Sequence, residues 1–232
     1  MEFVHRVNHQ LYTLIFVHII VLCPFIIENV FDFSADDIGK IKIDVADADV
    51  KIICGAEHNK IEIRNFKSTD YVCQIENKAL VMENGLNILS LTDLAQGEIR
   101  FKGFRYYVKD FLGNEILGSK SVNVYISDTY DIKAIDVKTT NGNITLEGSE
   151  FDADIILGVE NGDVTASNIV TNSSFDVTVT KNGNVTLSDV SCAMSEIKCE
   201  NGSVKGELTA DELVINSEKD VQIACTKDLE EY

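Results

Sequence analysis

Histidines and cysteines are the residues of this sequence whose types best suit nucleophilic or metal chemistry. Three of the four histidines, His5, His9 and His18, lie in the N-terminal segment, and only His58 lies further along, in a turn-like Gly-Ala-Glu-His-Asn stretch. A single turn histidine gives no basis for a Ser-His-Asp or Cys-His set. The sequence also holds no Gly-x-Ser-x-Gly, His-Glu-x-x-His or Walker motif. We therefore predict no catalytic residue and no cofactor-binding residue.

The six cysteines are scattered along the chain without the spacing of a metal site. No Cys-x-x-Cys pair occurs, and the close pair Cys192 and Cys199 has no histidine nearby, whereas a zinc site needs clustered thiolates or imidazoles. Cys54 and Cys199 take positions where other strands carry small apolar residues, which predicts buried free thiols. Disulfide pairing stays open as the alternative. The full set is Cys23, Cys54, Cys73, Cys192, Cys199 and Cys225.

Neighbouring carboxylates offer the one enzymatic hypothesis. Glycosidases use two carboxyl groups at a set separation, with pKa values pushed apart by their environments. Abundance alone shows neither property, and no arginine follows Arg105 to hold an acidic sugar. We therefore expect a non-enzymatic protein, with a glycan-acting β-helix enzyme as the alternative. The candidate pairs are Asp152 with Asp154, Glu147 with Glu150, and Asp211 with Glu212.

Oxygen-bearing side chains recur at one position after a glycine: Asn143, Asp163, Asn184 and Ser203. Stacked on one another they could line a calcium site, because Ca²⁺ prefers oxygen ligands. The glycine-rich nonapeptide that binds calcium between β-helix coils is missing, however. The pattern favours a ladder of side-chain hydrogen bonds, and we predict no metal ligand.

A repeated Asn-Gly pair defines the elements that must position these side chains. Successive pairs are 20, 21 and 19 residues apart, and the stretch 218–221 keeps the position of a fifth copy without the Asn-Gly. Such a period is typical of stacked β architectures. Asn and Gly both tolerate the positive φ of a tight corner, so we interpret the pairs as structural turns. The turn residues are Asn141, Gly142, Asn161, Gly162, Asn182, Gly183, Asn201 and Gly202.

Apolar residues two apart flank each Asn-Gly pair, as with Leu157 and Val159 before it and Val164 and Ala166 after it. This alternation predicts strands with one face in a common core. Two all-β architectures fit: a β-solenoid with coils of roughly 20 residues, or an antiparallel meander of hairpins. The variable middle of the repeat favours the solenoid. The third repeat holds one extra residue before its Asn-Gly, which predicts a β-bulge at Thr180-Lys181.

The net charge of −18 argues against nucleic acid and anionic membrane surfaces as partners of most of the chain. The stretch 97–120 differs, because it interleaves basic with aromatic residues. Such a stretch can bind a partner surface, or it can form an amphipathic strand pair whose aromatics enter the core. If the protein has a partner-binding patch, we expect it here. The candidates are Arg100, Lys102, Arg105, Tyr106, Tyr107 and Lys109.

An apolar run covers residues 11–27, which is the short end of a membrane-spanning length. Its exit is bulky and lacks the small residues of a cleavage site, so we predict a retained signal-anchor. Arg6 precedes the run and acidic residues follow it, which predicts a single-pass membrane protein with the C-terminal domain outside. The alternative is a strand or helix packed in the domain of a cytoplasmic protein. The predicted division is residues 1–32 for tail and anchor, and 33–232 for the β domain.

Three alternating stretches precede or begin the regular repeats at about 121–226: Lys42–Val45, Ala48–Ile52 and Ser121–Ile126. Through these motifs, the sequence from Phe33 onward resembles the bacterial toast-rack, or putative-adhesin, β-strand-repeat family. The chain departs from the family at Ile126-Ser127, where Leu-Pro or Val-Pro is frequent.

The resemblance implies a single-stranded right-handed β-helix preceded by an N-terminal hydrophobic helix, without catalytic residues. We expect a membrane-anchored structural or interaction module of the cell envelope, adhesin-like, with an unknown protein or cell-surface partner. The alternative within binding proteins is an accessory of envelope-stress signalling that binds a membrane sensor.

Overall fold

The structure is a computed structural model that describes residues 28–33, 38–66, 71–76, 78–84, 119–127, 129 and 132–224. These residues form fifteen β-strands and no helix, so none of them belongs to a helix able to cross a bilayer. The predicted hydrophobic helix at 11–27 lies outside the described residues. The chain is an all-β protein over the part that the structure describes.

Most strands stack in two opposed layers, which we name face A and face B. Two strands, β13 (Val185–Cys199) and β14 (Val204–Ser217), are long enough to bend from one face to the other. Face B holds β2 (Lys40–Val45), β8 (Ala134–Asn141), β10 (Asp154–Asn161), β12 (Phe175–Asn182) and the later parts of β13 and β14. Face A holds β3 (Ala48–Cys54), β9 (Ile144–Phe151), β11 (Val164–Thr171), the first parts of β13 and β14, and β15 (Val221–Ala224).

Equivalent positions of successive repeats lie side by side in parallel pairs. On face A, Val164 is paired with both Ile144 and Val185. On face B, Leu157 is paired with both Val137 and Val177. Parallel pairing one repeat apart excludes the antiparallel meander, because hairpin neighbours would run in opposite directions. Each face B strand and the face A strand that follows it therefore form one coil of a stack.

The core lies between the two faces and is built from the inward residues of every strand. Ile144, Val164, Val185 and Val204 form one column in which each residue is fully buried. Alternate residues point outward, as expected of strands with period two. Each such side chain contributes roughly 1.5–3 kcal/mol on burial. The repeated apolar pairs are therefore what holds the coils together.

The β-bulge predicted at Thr180-Lys181 is confirmed. Val159 is paired with Val179 and Asn161 with Asn182, so two residues of β12 stand opposite the single residue Glu160 of β10. The bulge absorbs the extra residue of the third repeat, and both the valine column and the asparagine column stay aligned.

The variable middle of the repeat holds a one-residue bend inside a strand. Gly148, Asn168 and Asp189 occupy equivalent positions and have φ values of 66°, 55° and 53°. The next coil lacks the corresponding residue, and the pairing shifts between Leu187 and Val190. A single left-handed residue turns the strand without ending it.

One end of the stack is closed by strands from the first part of the chain. β6 (Ala79–Asn84) pairs in parallel with β2, and β7 (Lys120–Ile126) pairs in parallel with β3, so together they form a further coil. Three antiparallel strands lie outside it: β4 (Lys60–Arg64) on β7, β1 (Glu28–Asp32) on β4, and β5 (Tyr71–Glu76) on β6. The β domain thus includes five residues before the predicted boundary at Phe33.

The order of coils in space differs from their order in the sequence. The coil β2–β3 lies between β6–β7 on one side and β8–β9 on the other. The stretch 121–126 precedes the regular coils in the sequence, yet in space β7 lies beyond β3 rather than beside β9. Short alternating strands carry no signal of which equivalent strand they join.

Candidate functional site: the Asn-Gly edge

The Asn-Gly pairs lie along one edge of the stack, where each face B strand turns into the next face A strand. We name this row of corners the Asn-Gly edge. Its first corner, Ala46-Asp47, lacks Asn-Gly but occupies the same place between β2 and β3. The other corners are Gly142-Asn143, Gly162-Asp163, Gly183-Asn184, Glu200–Ser203 and Glu218–Asp220.

The glycines of this edge are required by close stacking as well as by φ. Gly142, Gly162 and Gly183 have φ values of 154°, 146° and 151°. A Cβ added to Gly162 would lie 1.9 Å from the carbonyl oxygen of Gly142, and one added to Gly183 would lie 1.8 Å from that of Gly162. Each glycine therefore lets the backbone of one corner rest directly on the backbone of the corner before it.

The asparagines have a different role from the predicted one. No asparagine of these pairs is among the non-glycine residues with positive φ, so the interpretation that Asn supplies left-handed backbone is wrong. Instead, Asn182 Nδ2 donates to Asn161 Oδ1 at 3.1 Å, and Asn161 Nδ2 donates to Asn141 Oδ1 at 3.0 Å. Asn141 Nδ2 in turn donates to Asp47 Oδ1 at 2.5 Å. We name this row the asparagine ladder.

A second row runs parallel to the asparagine ladder, two residues further along the chain at each corner. Asp163 N donates to Asn143 Oδ1 at 2.9 Å, and Asn184 N donates to Asp163 Oδ1 at 2.7 Å. The row begins at Asp49, which accepts from Asn143, and ends at Ser203, which donates to Asn184. The oxygens considered for calcium therefore accept hydrogen bonds from the next coil. Among the described residues, no group of three His, Cys, Asp or Glu side chains is placed to hold a metal ion.

The candidate carboxylate pairs take part in contacts between coils. Lys133 Nζ lies 2.9 Å from Asp152, and Ser174 Oγ donates to Asp154 at 3.1 Å. Lys51 Nζ lies 2.9 Å from Glu147. Asp211 and Glu212 lie in β14. Asp152, Asp154 and Glu147 therefore have structural partners in neighbouring coils.

The described cysteines are free thiols whose environment disfavours the reactive thiolate. Burial raises the pKa of Cys54 and of Cys73 to about 12, and that of Cys192 to about 11. Cys199 is buried, and its Sγ lies 3.4 Å from the carbonyl oxygen of Gly183. Nucleophilic cysteines have lowered pKa values instead. Cys23 and Cys225 lie outside the described residues.

A buried carboxylate near the closed end was missed in the sequence. Glu62 points outward between the inward Ile61 and Ile63, yet it is only 7 % exposed. Lys60 Nζ donates to it at 2.7 Å, and Tyr125 Oη donates at 3.3 Å. The hydrogen bond from Lys60 holds the pKa of Glu62 below its usual value, although burial opposes this.

The ion pair of Glu62 with Arg64, at 3.2 Å within β4, completes this cluster, and the hydrogen bond from Tyr125 links it to β7. The alternation Lys60-x-Glu62-x-Arg64 was the available signal. It places three charged side chains on one side of a strand, but the covering Tyr125 comes from 63 residues away.

The predicted partner-binding patch lies in the connection between β6 and β7 at the Asn-Gly edge, residues 85–119, which we name the long connection. β6 ends at Asn84 and β7 begins at Lys120, and both points lie on this edge, because β6 is parallel to β2 and β7 to β3. The other corners of this edge need two to four residues, such as Gly162-Asp163 between β10 and β11. The patch residues Arg100, Lys102, Arg105, Tyr106, Tyr107 and Lys109 lie outside the described residues.

Comparison with known protein families shows to which family this chain belongs. A family model described as "Toastrack DUF4097" matches residues 38–231. The chain belongs to this family. The match begins just before β2 and covers the coils, the closed end from β2 onward and the long connection, so the Toastrack unit is nearly the whole described structure.

Several solved structures align with most of this Toastrack chain at low sequence identity. A "putative cell adhesion protein" from Clostridium sporogenes is 10 % identical, with a TM-score of 0.44, over 88 % of this chain and all (100 %) of the other. A "putative adhesin" from Bacteroides fragilis is 10 % identical, with a TM-score of 0.37, over 88 % and 98 %. A "Putative lipid binding protein" from Parabacteroides distasonis is 12 % identical, with a TM-score of 0.35, over 87 % and 97 %. The comparison with curated proteins finds no match.

Proposed function

We propose that this Toastrack protein is a non-enzymatic, membrane-anchored module of the bacterial cell envelope that binds another macromolecule through the connection between β6 and β7. The observation that carries the proposal is the contrast along the Asn-Gly edge. Its regular corners are two to four residues long and neighbouring ones are hydrogen-bonded to each other, whereas one corner is replaced by residues 85–119. The right-handed sense of the coils belongs to the same proposal, because parallel crossovers are right-handed in nearly all proteins.

The coils provide a scaffold rather than a ligand site. Their outward amide and carboxylate groups are engaged with the neighbouring coil, as in Asn161 with Asn141 and Asp163 with Asn143. A side chain that is already hydrogen-bonded must lose that bond to contact a ligand. Binding residues are disproportionately found in loops held by a rigid scaffold. The long connection is the part of the edge that fits this description.

The composition of this connection supports a macromolecular partner with acidic or apolar surface. It combines Arg100, Lys102 and Arg105 with neighbouring aromatic residues in a chain whose net charge is −18. Arginine and tyrosine are the residue types enriched at binding hot spots. The charge of the rest of the chain disfavours nucleic acid. We therefore propose a protein or cell-surface partner, which is also where the adhesin-like function would act.

Membrane anchoring rests on residues 11–27 and is tested separately from binding. β1 begins at Glu28, directly after this apolar run, so an anchor would hold the closed end of the stack next to the membrane. Full-length protein with a C-terminal tag is expected in the membrane fraction, with the tag accessible to protease added outside the cell. Recovery of the tag in the soluble fraction would contradict the anchor.

Partner binding is tested by pull-down with the full-length protein and a variant in which Arg100, Lys102 and Arg105 are changed to Glu. The control variant changes Lys138, Lys181 and Lys198 to Glu. These lysines make exposed ion pairs on the coils, which are worth about 0–1 kcal/mol each. The first variant is expected to lose partners that the wild type and the control retain. Equal partner sets for all three proteins would reject the patch.

A further inference from the structure

Asn-Gly is the dipeptide in which a backbone nitrogen can most easily react with the preceding side chain. The nitrogen of the glycine attacks the side-chain carbonyl carbon of the asparagine, ammonia leaves, and a cyclic succinimide forms. Water then opens the ring and gives aspartate or isoaspartate. Glycine favours the reaction because it lacks a Cβ and its backbone rotates freely. The reaction requires both groups to leave their hydrogen bonds and approach each other.

At Asn141 and Asn161, both reacting groups are held. Each side chain donates its Nδ2 in the asparagine ladder and accepts from the next asparagine. The attacking nitrogens are also engaged, since Gly142 N donates to Asn161 O at 3.0 Å and Gly162 N donates to Asn182 O at 2.8 Å. Attack at these corners requires breaking hydrogen bonds of both partners.

The asparagine ladder ends before the last corner that holds an Asn-Gly pair. Asn182 donates to Asn161 but accepts nothing from Asn201, and among the described residues the side chain of Asn201 makes no hydrogen bond. The Asn201 side chain is exposed, whereas Gly202 is buried. The asparagine side chain of the dipeptide is thus held by two hydrogen bonds in two corners, by one in the third and by none in the fourth.

We propose that Asn201-Gly202 is a site of spontaneous deamidation, and that the asparagine ladder protects Asn141 and Asn161 from the same reaction. The expected order of rates is Asn201, then Asn182, then Asn161 and Asn141. One lost hydrogen bond changes an equilibrium by roughly fivefold. The several bonds that hold Asn161 therefore predict a rate at least about tenfold below that of Asn201.

The product has a structural consequence at the last corner. Isoaspartate adds one methylene to the main chain at residue 201. The backbone of this corner rests closely on the corner before it, since a Cβ on Gly202 would lie 1.5 Å from the carbonyl oxygen of Gly183 and 2.9 Å from Cys199 Sγ. The modification is expected to loosen the coil that follows, from Val204 to Ala224.

The test incubates the full-length protein at mildly alkaline pH and follows each Asn-Gly peptide by mass spectrometry, which detects the amide-to-acid mass change and the released ammonia. A parallel sample unfolded in urea gives the intrinsic rate of each site, so every folded rate is divided by its unfolded rate. The variant Asn201→Gln identifies the Asn201 signal, because glutamine must close a larger and slower ring.

The variant Asp47→Gly tests the protection by the ladder. It removes the acceptor of Asn141 while glycine suits the φ of 53° at position 47. The normalised rate at Asn141 is expected to rise about fivefold, with that of Asn201 unchanged. A normalised rate at Asn201 that equals or falls below those of Asn141 and Asn161 would overturn the proposal. An Asn141 rate that Asp47→Gly leaves unchanged would overturn the role of the ladder.

Discussion

Replacing Gly162 by alanine tests whether direct backbone stacking at the Asn-Gly edge holds the coils in register. Gly162 lies between the corners of Gly142 and Gly183, with one coil on each side. Its φ of 146° is a conformation that residues with a Cβ rarely adopt. The added methyl carbon would start 1.9 Å from the Gly142 carbonyl oxygen, inside any allowed contact distance.

Two contributions set the size of the effect. Forcing a residue with a Cβ into this backbone region costs about 1–3 kcal/mol. To relieve the overlap, the two corners must move apart by about 1 Å. That separation weakens the bonds from Gly142 N to Asn161 O and from Asn161 Nδ2 to Asn141 Oδ1, at about 1 kcal/mol each. We expect Gly162→Ala to lower the free energy of unfolding by about 3–5 kcal/mol.

The matched control is Gly158→Ala, four residues earlier in β10. A Cβ at Gly158 would lie 3.4 Å from the flexible Lys138 side chain and 3.9 Å from the Val137 oxygen. Glycine to alanine at such a compatible position stabilises by up to about 1 kcal/mol, because the unfolded chain loses freedom. The two variants therefore differ in sign although the chemical change is the same.

Urea unfolding of the two variants, followed by far-ultraviolet circular dichroism, measures the difference. With a slope of about 3 kcal/mol per molar urea, Gly162→Ala should move the midpoint down by about 1 to 2 M. The slope itself should stay constant if unfolding remains cooperative, a condition that stacked repeats do not always meet. If Gly162→Ala unfolds at the same urea concentration as Gly158→Ala, direct backbone stacking does not hold the edge.

Two further predictions concern the bulge and the thiols. Deletion of Lys181 removes the bulge and one exposed ion pair with Glu160. The free energy of unfolding should therefore change by no more than about 1 kcal/mol. Deletion of Thr178 instead turns the inward side chains of the preceding β12 residues outward, and this variant should fail to fold. Equal stability of the two deletion variants would contradict the assigned register. Burial raises the pKa of Cys54 and Cys73 from 9.0 to about 12, so the folded state favours the neutral thiols. Their contribution to stability is complete below pH 9 and is lost as the pH rises toward 12. Between these pH values, the free energy of unfolding should fall less in the double variant Cys54→Ala, Cys73→Ala than in the wild-type protein.

The columns of the core follow directly from the sequence, because alternation determines which residues point inward. Leu157 and Val159 before the corner, and Val164 and Ala166 after it, are fully or almost fully buried. The spacing of Val179 and Asn182 also determines the bulge. Parallel and antiparallel strands share the same alternation, however, so pairing direction becomes visible only in the structure.

Other features depend on which strands become neighbours. Ile41 of β2 and Ile135 of β8 are 94 residues apart in the sequence and are paired on face B. Nothing in two short alternating strands marks that partnership. For the same reason, the ladder role of Asn161 and the burial of Glu62 were missed, since each depends on side chains from other strands.

The placement of β2–β3 between two other coils has a consequence for the size of the protein. All strands of the closed end, β1 and β4 to β7, lie on one side of this coil, and the regular coils extend from its other side toward β15. Each additional repeat would lengthen the stack by one strand spacing, about 4.8 Å, without contact with the closed end. The length of the stack, measured from the closed end, is therefore set by the number of repeats in the sequence.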